Sequence, residues 1–177
     1  MTSYQIDTAH THAQFKVRHL MISNVKGEFT KVTGNVEIDE EHHQTSSINI
    51  TVDVNSISTR EPQRDAHLKS ADFFDVEKFP TITFVSKEIV KSGDDSFEVV
   101  GDLTIHGVTK TVDLNVEDVT PEMKDPYGMF RRGASAKTTI LRSDFGLKYN
   151  AALETGGVLI GDEVHITIDT ELVRSSQ

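Results

Sequence analysis

The chain has 177 residues with no cysteine and no tryptophan, and its 28 acidic against 18 basic side chains leave a formal net charge of -10. That length suits one domain over residues 1–177, and the missing cysteines exclude disulfides, thiolate metal sites and cysteine nucleophiles. The acidic balance argues against nonspecific nucleic-acid binding, which needs a basic face.

The opening MTSYQIDTAH has neither the basic nor the apolar part of a secretion signal. A cytoplasmic location is therefore expected; a mature periplasmic or otherwise extracytoplasmic chain that had lost its signal would look similar. No window approaches the roughly 18 consecutive apolar residues of a membrane span, so no stable membrane insertion is expected. Ala13, Phe15 and Val17 alternate with Gln14 and Lys16, the period of a half-buried strand. A long strand follows from Val25 to Asp39. Val25, Gly27 and Phe29 share one parity while Val32, Gly34, Val36 and Ile38 share the other, which predicts a bulge near Thr30 and Lys31. After a polar turn at Glu40–Thr45, Ile48, Ile50, Val52 and Val54 form a third strand, completing an antiparallel meander.

The segment from Arg64 to Phe84 is the one place where a helix interrupts the strands. An amphipathic helix is predicted from Glu61 to Ser70, capped by Ser58 with Glu61 three residues on, and favoured slightly by the Asp65–Lys69 spacing. An aromatic turn with Phe73, Phe74 and Phe79 leads through Pro80 into a strand over Thr81–Ile89. Phe97–Ile105 and Val108–Val119 form a hairpin about His106-Gly107. Thr120–Gly133, with Pro121, Pro126 and Gly128, reads as a long mobile loop. Ala134, Ala136, Thr138 and Ile140 resume a strand whose small residues leave space in a lumen. A second short helical turn lies within Arg142–Glu154, and the last strand covers Glu163–Leu172. About eight long strands with short connections favour an all-β fold, an eight-stranded antiparallel barrel with a short helix covering one end, over a sandwich.

Four stretches carry a family resemblance: YQIDTAHTHAQFKVRHL, RDAHLKSADFFD with FPTITF, VVGDLTIHGVTKTV, and RSDFG from Arg142. Together they span nearly the whole chain, and on them it resembles the YceI-like, polyisoprenoid-binding, lipocalin-like family. The resemblance implies an extended barrel with a long apolar tunnel that binds long isoprenoid chains or similar amphipathic lipids, of polyprenyl or quinone type.

Strands of ten residues build a cylinder about 25 to 30 Å tall, enough for an extended lipid tail, although eight-stranded barrels can also be filled by their own side chains. The expected ligand-binding residues are Phe15, Val17, Ile50, Val52, Phe84, Leu103, Leu114 and Ile140 in the lumen, with Arg64, Leu68 and Phe73 from the helix and aromatic turn. Arg60, Arg64, Arg131 and Arg132 are candidate partners for a lipid phosphate. His10 and His12, two apart on a strand, share a face that His19 does not, so no metal site is expected. No nucleophile elbow, phosphate loop or dinucleotide fingerprint is present, and Asp7 with His10 or Asp65 with His67 are chance neighbours. The expected function is noncatalytic carriage, buffering or scavenging of the lipid, without cofactor. The alternatives are an enzyme acting on a small lipid or quinone through histidines, and an interaction module with a filled barrel that forms a homodimer.

Overall fold

The computed structural model describes residues 1–176. Three of its eight staves are each made of two strand segments joined by a kink. The first is β1 (Thr2–Ile6) and β2 (His12–His19), separated by a 3-10 turn at Thr8–His10 in which Asp7 accepts from the Ala9 amide. The second is β3 (Ser23–Phe29) and β4 (Val32–Ile38). The third is β5 (Ser47–Asp53) and β6 (Ile57–Ser58), bent by a 3-10 turn at Val54–Ser56. The predicted bulge at Thr30 and Lys31 is therefore a full break between β3 and β4. It lets the apolar residues of both halves face inward although their parity differs.

The helix α1 (Pro62–Lys69) follows, then β7 (Thr81–Lys91), β8 (Phe97–Ile105), β9 (Val108–Glu117), the short β10 (Met123–Lys124), β11 (Phe130–Leu141), a 3-10 turn at Arg142–Phe145, and β12 (Ile160–Arg174). Antiparallel pairing runs β11-β9-β8-β7-β5-β4-β1-β12, and β12 returns to β11, closing a barrel of eight strands. Closure removes the exposed edges that an open sheet would present. The long β12 meets β1 near its C-terminal end and β2 along the rest, so β2, β3 and β6 extend the wall at one end. The last β11 pairing is Leu141 with Glu163, and the β2–β3 hairpin tip projects past it. Aromatic rings cover glycines within the wall: Phe15 lies on its cross-strand partner Gly27, and Phe84 lies on Gly101.

Two apolar clusters fill different heights. The larger includes Val54, Ile82, Phe84, Val99, Leu103, Ile105, Ile140 and Phe145. The smaller joins Tyr4, Val36 and Leu172 where β1, β4 and β12 meet. There Tyr4 is almost fully buried, its hydroxyl donates to Glu122 at 2.6 Å, and the Arg132 guanidinium lies over its ring. This cluster plugs the far end of the barrel. Burial, then the bond to Glu122, raises the Tyr4 phenol above its usual range.

Several local expectations are corrected. Strand β1 was not foreseen, and Ser58 does not cap the helix. Glu61 does, accepting from the Gln63 amide, with Pro62 in the first turn, where its missing N–H costs nothing. Asp65 does not pair with Lys69. It accepts from the Thr59 amide at 2.8 Å and from the Thr59 hydroxyl. Nor is the helix amphipathic: none of its eight residues is buried, and Ala66 and Leu68 are its only apolar side chains besides Pro62. It is a polar cover held by side-chain bonds. Thr120–Gly133 is not one long loop either, since β10 pairs with the start of β11 and makes it a short hairpin.

That hairpin is anchored by Arg131, whose guanidinium bridges Asp125 at 2.7 Å, Asp7 at 2.6 Å and Glu171 at 3.1 Å. Its hydrogen bond holds Asp7 down at about 2 and also lowers Asp125. A carboxylate whose pKa is depressed on folding contributes stability above its ordinary value, 3.8 for Asp7, and loses it as pH falls towards its folded value. Replacing Arg131 by Met is therefore expected to lower Tm at neutral pH. The difference from the native protein should shrink between about pH 4 and pH 2. Thermal melts across that range check this; a difference independent of pH would refute the linkage.

Candidate functional site

A cavity of about 400 Å³ occupies the barrel from its helix-covered end inward. That volume lies within the roughly 300–1,000 Å³ of small-molecule sites, so this barrel is not filled by its own side chains. Every residue expected to bind ligand borders it. Phe15 and Val17 come from β2, Ile50 and Val52 from β5, Phe84 from β7, Leu103 from β8, Leu114 from β9 and Ile140 from β11. Arg64 and Leu68 come from α1, and Phe73 from the aromatic turn. Register explains the grouping: Ile50 stands opposite Phe84, and Phe84 opposite Leu103, so one inward face passes from strand to strand.

The small-residue face of β11 is only partly involved. Thr138 and Ile140 line the cavity, whereas Ala134 and Ala136 do not. They lie nearer the end plugged by Tyr4, Val36 and Leu172. Further lining residues were legible but not chosen, among them Val25, Phe29, Val112, Val164, Ile166 and Ile168, which continue the same strand alternation. Leu147, Tyr149 and Leu159 come from the irregular segment between β11 and β12 and had no periodic signal.

Polar groups gather at the mouth. Thr59, only 4% exposed, ties α1 down: Arg64 Nε donates to its hydroxyl at 2.8 Å and Nη2 to its carbonyl at 2.7 Å. The His67 ring meets Phe73 and Tyr149 edge-on at about 5 Å and bonds Asp72, not Asp65, at 2.8 Å. Arg18 and His19 reach the mouth from β2. The group that sequence reasoning missed is Arg142. It is buried, borders the cavity, and donates to the carbonyls of Gly161, Leu147, Tyr149 and Ile160. Burial lowers its pKa. Beside it, Ser143 donates its amide and hydroxyl to Asp162, which holds that carboxylate below its usual range.

The other arginine candidates are elsewhere. Arg131 is spent on the three carboxylates named above, and Arg132 pairs with Glu40 and covers Tyr4. Neither lines the cavity, and neither does Arg60. The histidine geometry also differs from expectation. His10 lies in the 3-10 turn, so it shares no strand face with His12. Its imidazole sits 2.9 Å from Asp7, so that pair is real, but Asp7 also binds Arg131. Asp7, His10 and Glu171 lie close enough to resemble metal ligands, yet the Arg131 guanidinium already supplies the positive charge between the two carboxylates.

The YceI-like domain family matches residues 4–172. The chain belongs to the YceI-like family. A UPF0312 protein of Staphylococcus aureus strain MSSA476 is 39% identical to this YceI-like chain over 173 residues, 97% of each protein. The crystal structure of BcnA from Burkholderia cenocepacia has a TM-score of 0.81 and 25% identity, covering 94% of this chain and 98% of its own. A domain from Saccharophagus degradans, described as polyisoprenoid binding, has a TM-score of 0.72 at 15% identity and covers 99% of this chain and 100% of its own. That last likeness concerns the fold. In this chain the RSDFG stretch has a physical meaning of its own. Arg142 gathers the carbonyls, Ser143 fixes Asp162, Phe145 enters the core, and Gly146 takes the left-handed conformation at φ 75°.

Proposed function

We propose that this YceI-like barrel binds a long-chain isoprenoid or similar amphipathic lipid in its cavity without chemical change, as a carrier, buffer or scavenger. The observation that carries the reading is the cavity itself: apolar walls from all eight staves of the barrel lead to a mouth ringed by Arg64, His67, Tyr149 and Arg18. Such a site takes an apolar tail and leaves a polar head at the rim. Each buried methylene contributes about 0.8 kcal/mol, offset in part by ordering of the tail. The Saccharophagus domain adds a fold-level analogy. For a phosphate-bearing head, Arg64 is the best-placed guanidinium, because its bonds to Thr59 already orient it at the opening.

Native mass spectrometry of the purified protein, then solvent extraction and titration with long-chain prenyl alcohols and quinones, tests the proposal. A stoichiometric adduct released as a prenyl chain supports it. No adduct together with no binding of added prenyl compounds refutes it. Val112→Trp places a large ring in the lumen from a half-buried wall position. Displacing a few methylenes is expected to weaken prenyl binding at least about tenfold while the melting temperature stays near that of the native protein. Unchanged affinity would show that the ligand lies elsewhere.

A further inference from the structure

The tip of the β2–β3 hairpin has a sequence at odds with its backbone. The loop between the paired residues His19 and Ser23 is three residues long; within it Ile22 donates to the His19 carbonyl at 3.2 Å, and the two residues that this bond encloses, Leu20 and Met21, have positive φ, 53° and 63°. Turns of that kind favour Asn-Gly, since large side chains are strained there. Here the strained positions carry two large apolar side chains, and Ile22 follows them. They are exposed by 38%, 53% and 76% respectively. Strain kept at an exposed apolar tip points to a use outside the folded core.

Three features say what covers it. The tip projects past the barrel rim at the cavity mouth, where its neighbours Arg18 and His19 line the opening. It is tied to the adjoining rim segment, because the Leu20 amide donates to the Leu159 carbonyl at 2.8 Å, continuing the β2–β12 ladder beyond the His19–Ile160 pair, and the exposed Val158 adjoins Leu159 in sequence. Its charge opposes that of the whole molecule: residues 16–26 contain Lys16, Arg18 and Lys26 and no carboxylate, against a net charge of -10 overall. Lys16 and Lys26 stand directly opposite each other across the ladder, an unfavourable placement for two like charges. Among the described residues neither they nor Arg18 forms an ion pair.

We propose that the Leu20–Met21–Ile22 tip docks the protein on an anionic lipid bilayer and sets the cavity mouth against it, so that ligand passes between membrane and barrel without crossing water. The tip sits at the depth of the headgroups and the lysines meet their charge. This rests on the carrier reading above and adds where the carrier loads.

Flotation with vesicles of phosphatidylcholine alone, and of phosphatidylcholine with about one-third phosphatidylglycerol, tests it on the native chain and on a variant carrying Leu20→Asn and Met21→Gly. That variant supplies the residues the turn prefers, so its melting temperature should rise and misfolding would not explain a loss. The native chain should float with the anionic vesicles and release as salt is raised, and the variant should bind at least about tenfold more weakly. Equal flotation of both proteins, or none by either, overturns the proposal. Concentration-dependent mass of the native chain, abolished in the variant, with no flotation, would make the tip a self-association surface and also overturn it. Binding of geranylgeraniol in vesicle-free buffer separates the two claims. If the variant binds it like the native chain, the lumen is intact; if the native chain floats but never binds it, docking stands and the carrier reading fails.

Discussion

Alanine in place of Phe145 is expected to lower the unfolding free energy by about 3–5 kcal/mol, the range for deleting a buried phenyl ring. Phe145 is 1% exposed and belongs to the larger core cluster. It does not border the cavity, so its ring has neighbours on all sides and its removal opens a new void. Two fixtures keep the surroundings from collapsing into that void. His106 approaches the Phe145 carbonyl at 3.3 Å, and Gly146 turns the chain immediately afterwards. Phe84 is a useful contrast, because its ring already faces the cavity and its loss would enlarge an existing space. Urea denaturation of both alanine variants should therefore show the larger drop at Phe145. Equal or reversed costs would mean that the structure around Phe145 relaxes.

Arg142→Met should cost about as much, roughly 3–5 kcal/mol, by a different route. Methionine fills much of the volume but leaves the carbonyls of Leu147, Tyr149 and Gly161 without their shared donor, while Ile160 keeps its bond from Asn150 Nδ2 at 2.8 Å. Buried unpaired carbonyls cost about 1–3 kcal/mol each, and a hydrogen bond to a charged group contributes about 1.5–3 kcal/mol. The loss should be local first. Amides between Leu147 and Leu159 should exchange faster than those of β8 and β9, and prenyl affinity should fall because Leu147, Tyr149 and Leu159 line the mouth. Lysine at 142 should not rescue it, since a single ammonium cannot reproduce a planar fork aimed at several carbonyls. Hydrogen exchange and denaturation together check this. A stability loss below about 1 kcal/mol with unchanged exchange would show that water replaces the guanidinium.

What could be read from the sequence was what depends on near neighbours. Alternation located the strands and, with the parity change at Thr30 and Lys31, the break between β3 and β4. The same alternation picked out residues that border the cavity. What escaped depends on distant partners. β1 has only Tyr4 and Ile6 as apolar signals, and it is a strand because β4 and β12 flank it on both sides. Arg142 looks like any surface arginine until four carbonyls from either side of an irregular segment converge on it. Arg131 and Arg132 looked like free cations because their carboxylate partners are 6 to 124 and 92 positions away in the chain. α1 looked amphipathic because the aromatic turn beside it supplies the apolar surface that the helix lacks.

The pairing of Tyr4 with Arg174, and the bond from the Ser175 amide to the Ser3 carbonyl, place the first and last strands of the barrel side by side. A ribosome delivers the first of these strands long before the last. Until β12 emerges, β1 has only β4 beside it, β2 only β3 and β11 only β9 among the long strands, so each keeps one open edge and the sheet cannot close. Closure of this barrel is thus tied to the arrival of its last strand, a pairing between segments far apart in the chain and therefore slow to form. The same adjacency makes the order of strands separable from the architecture. A chain in which β12 ran through a short linker into β1 and which was opened at the turn between β7 and β8 would keep every pairing of the barrel while beginning and ending elsewhere.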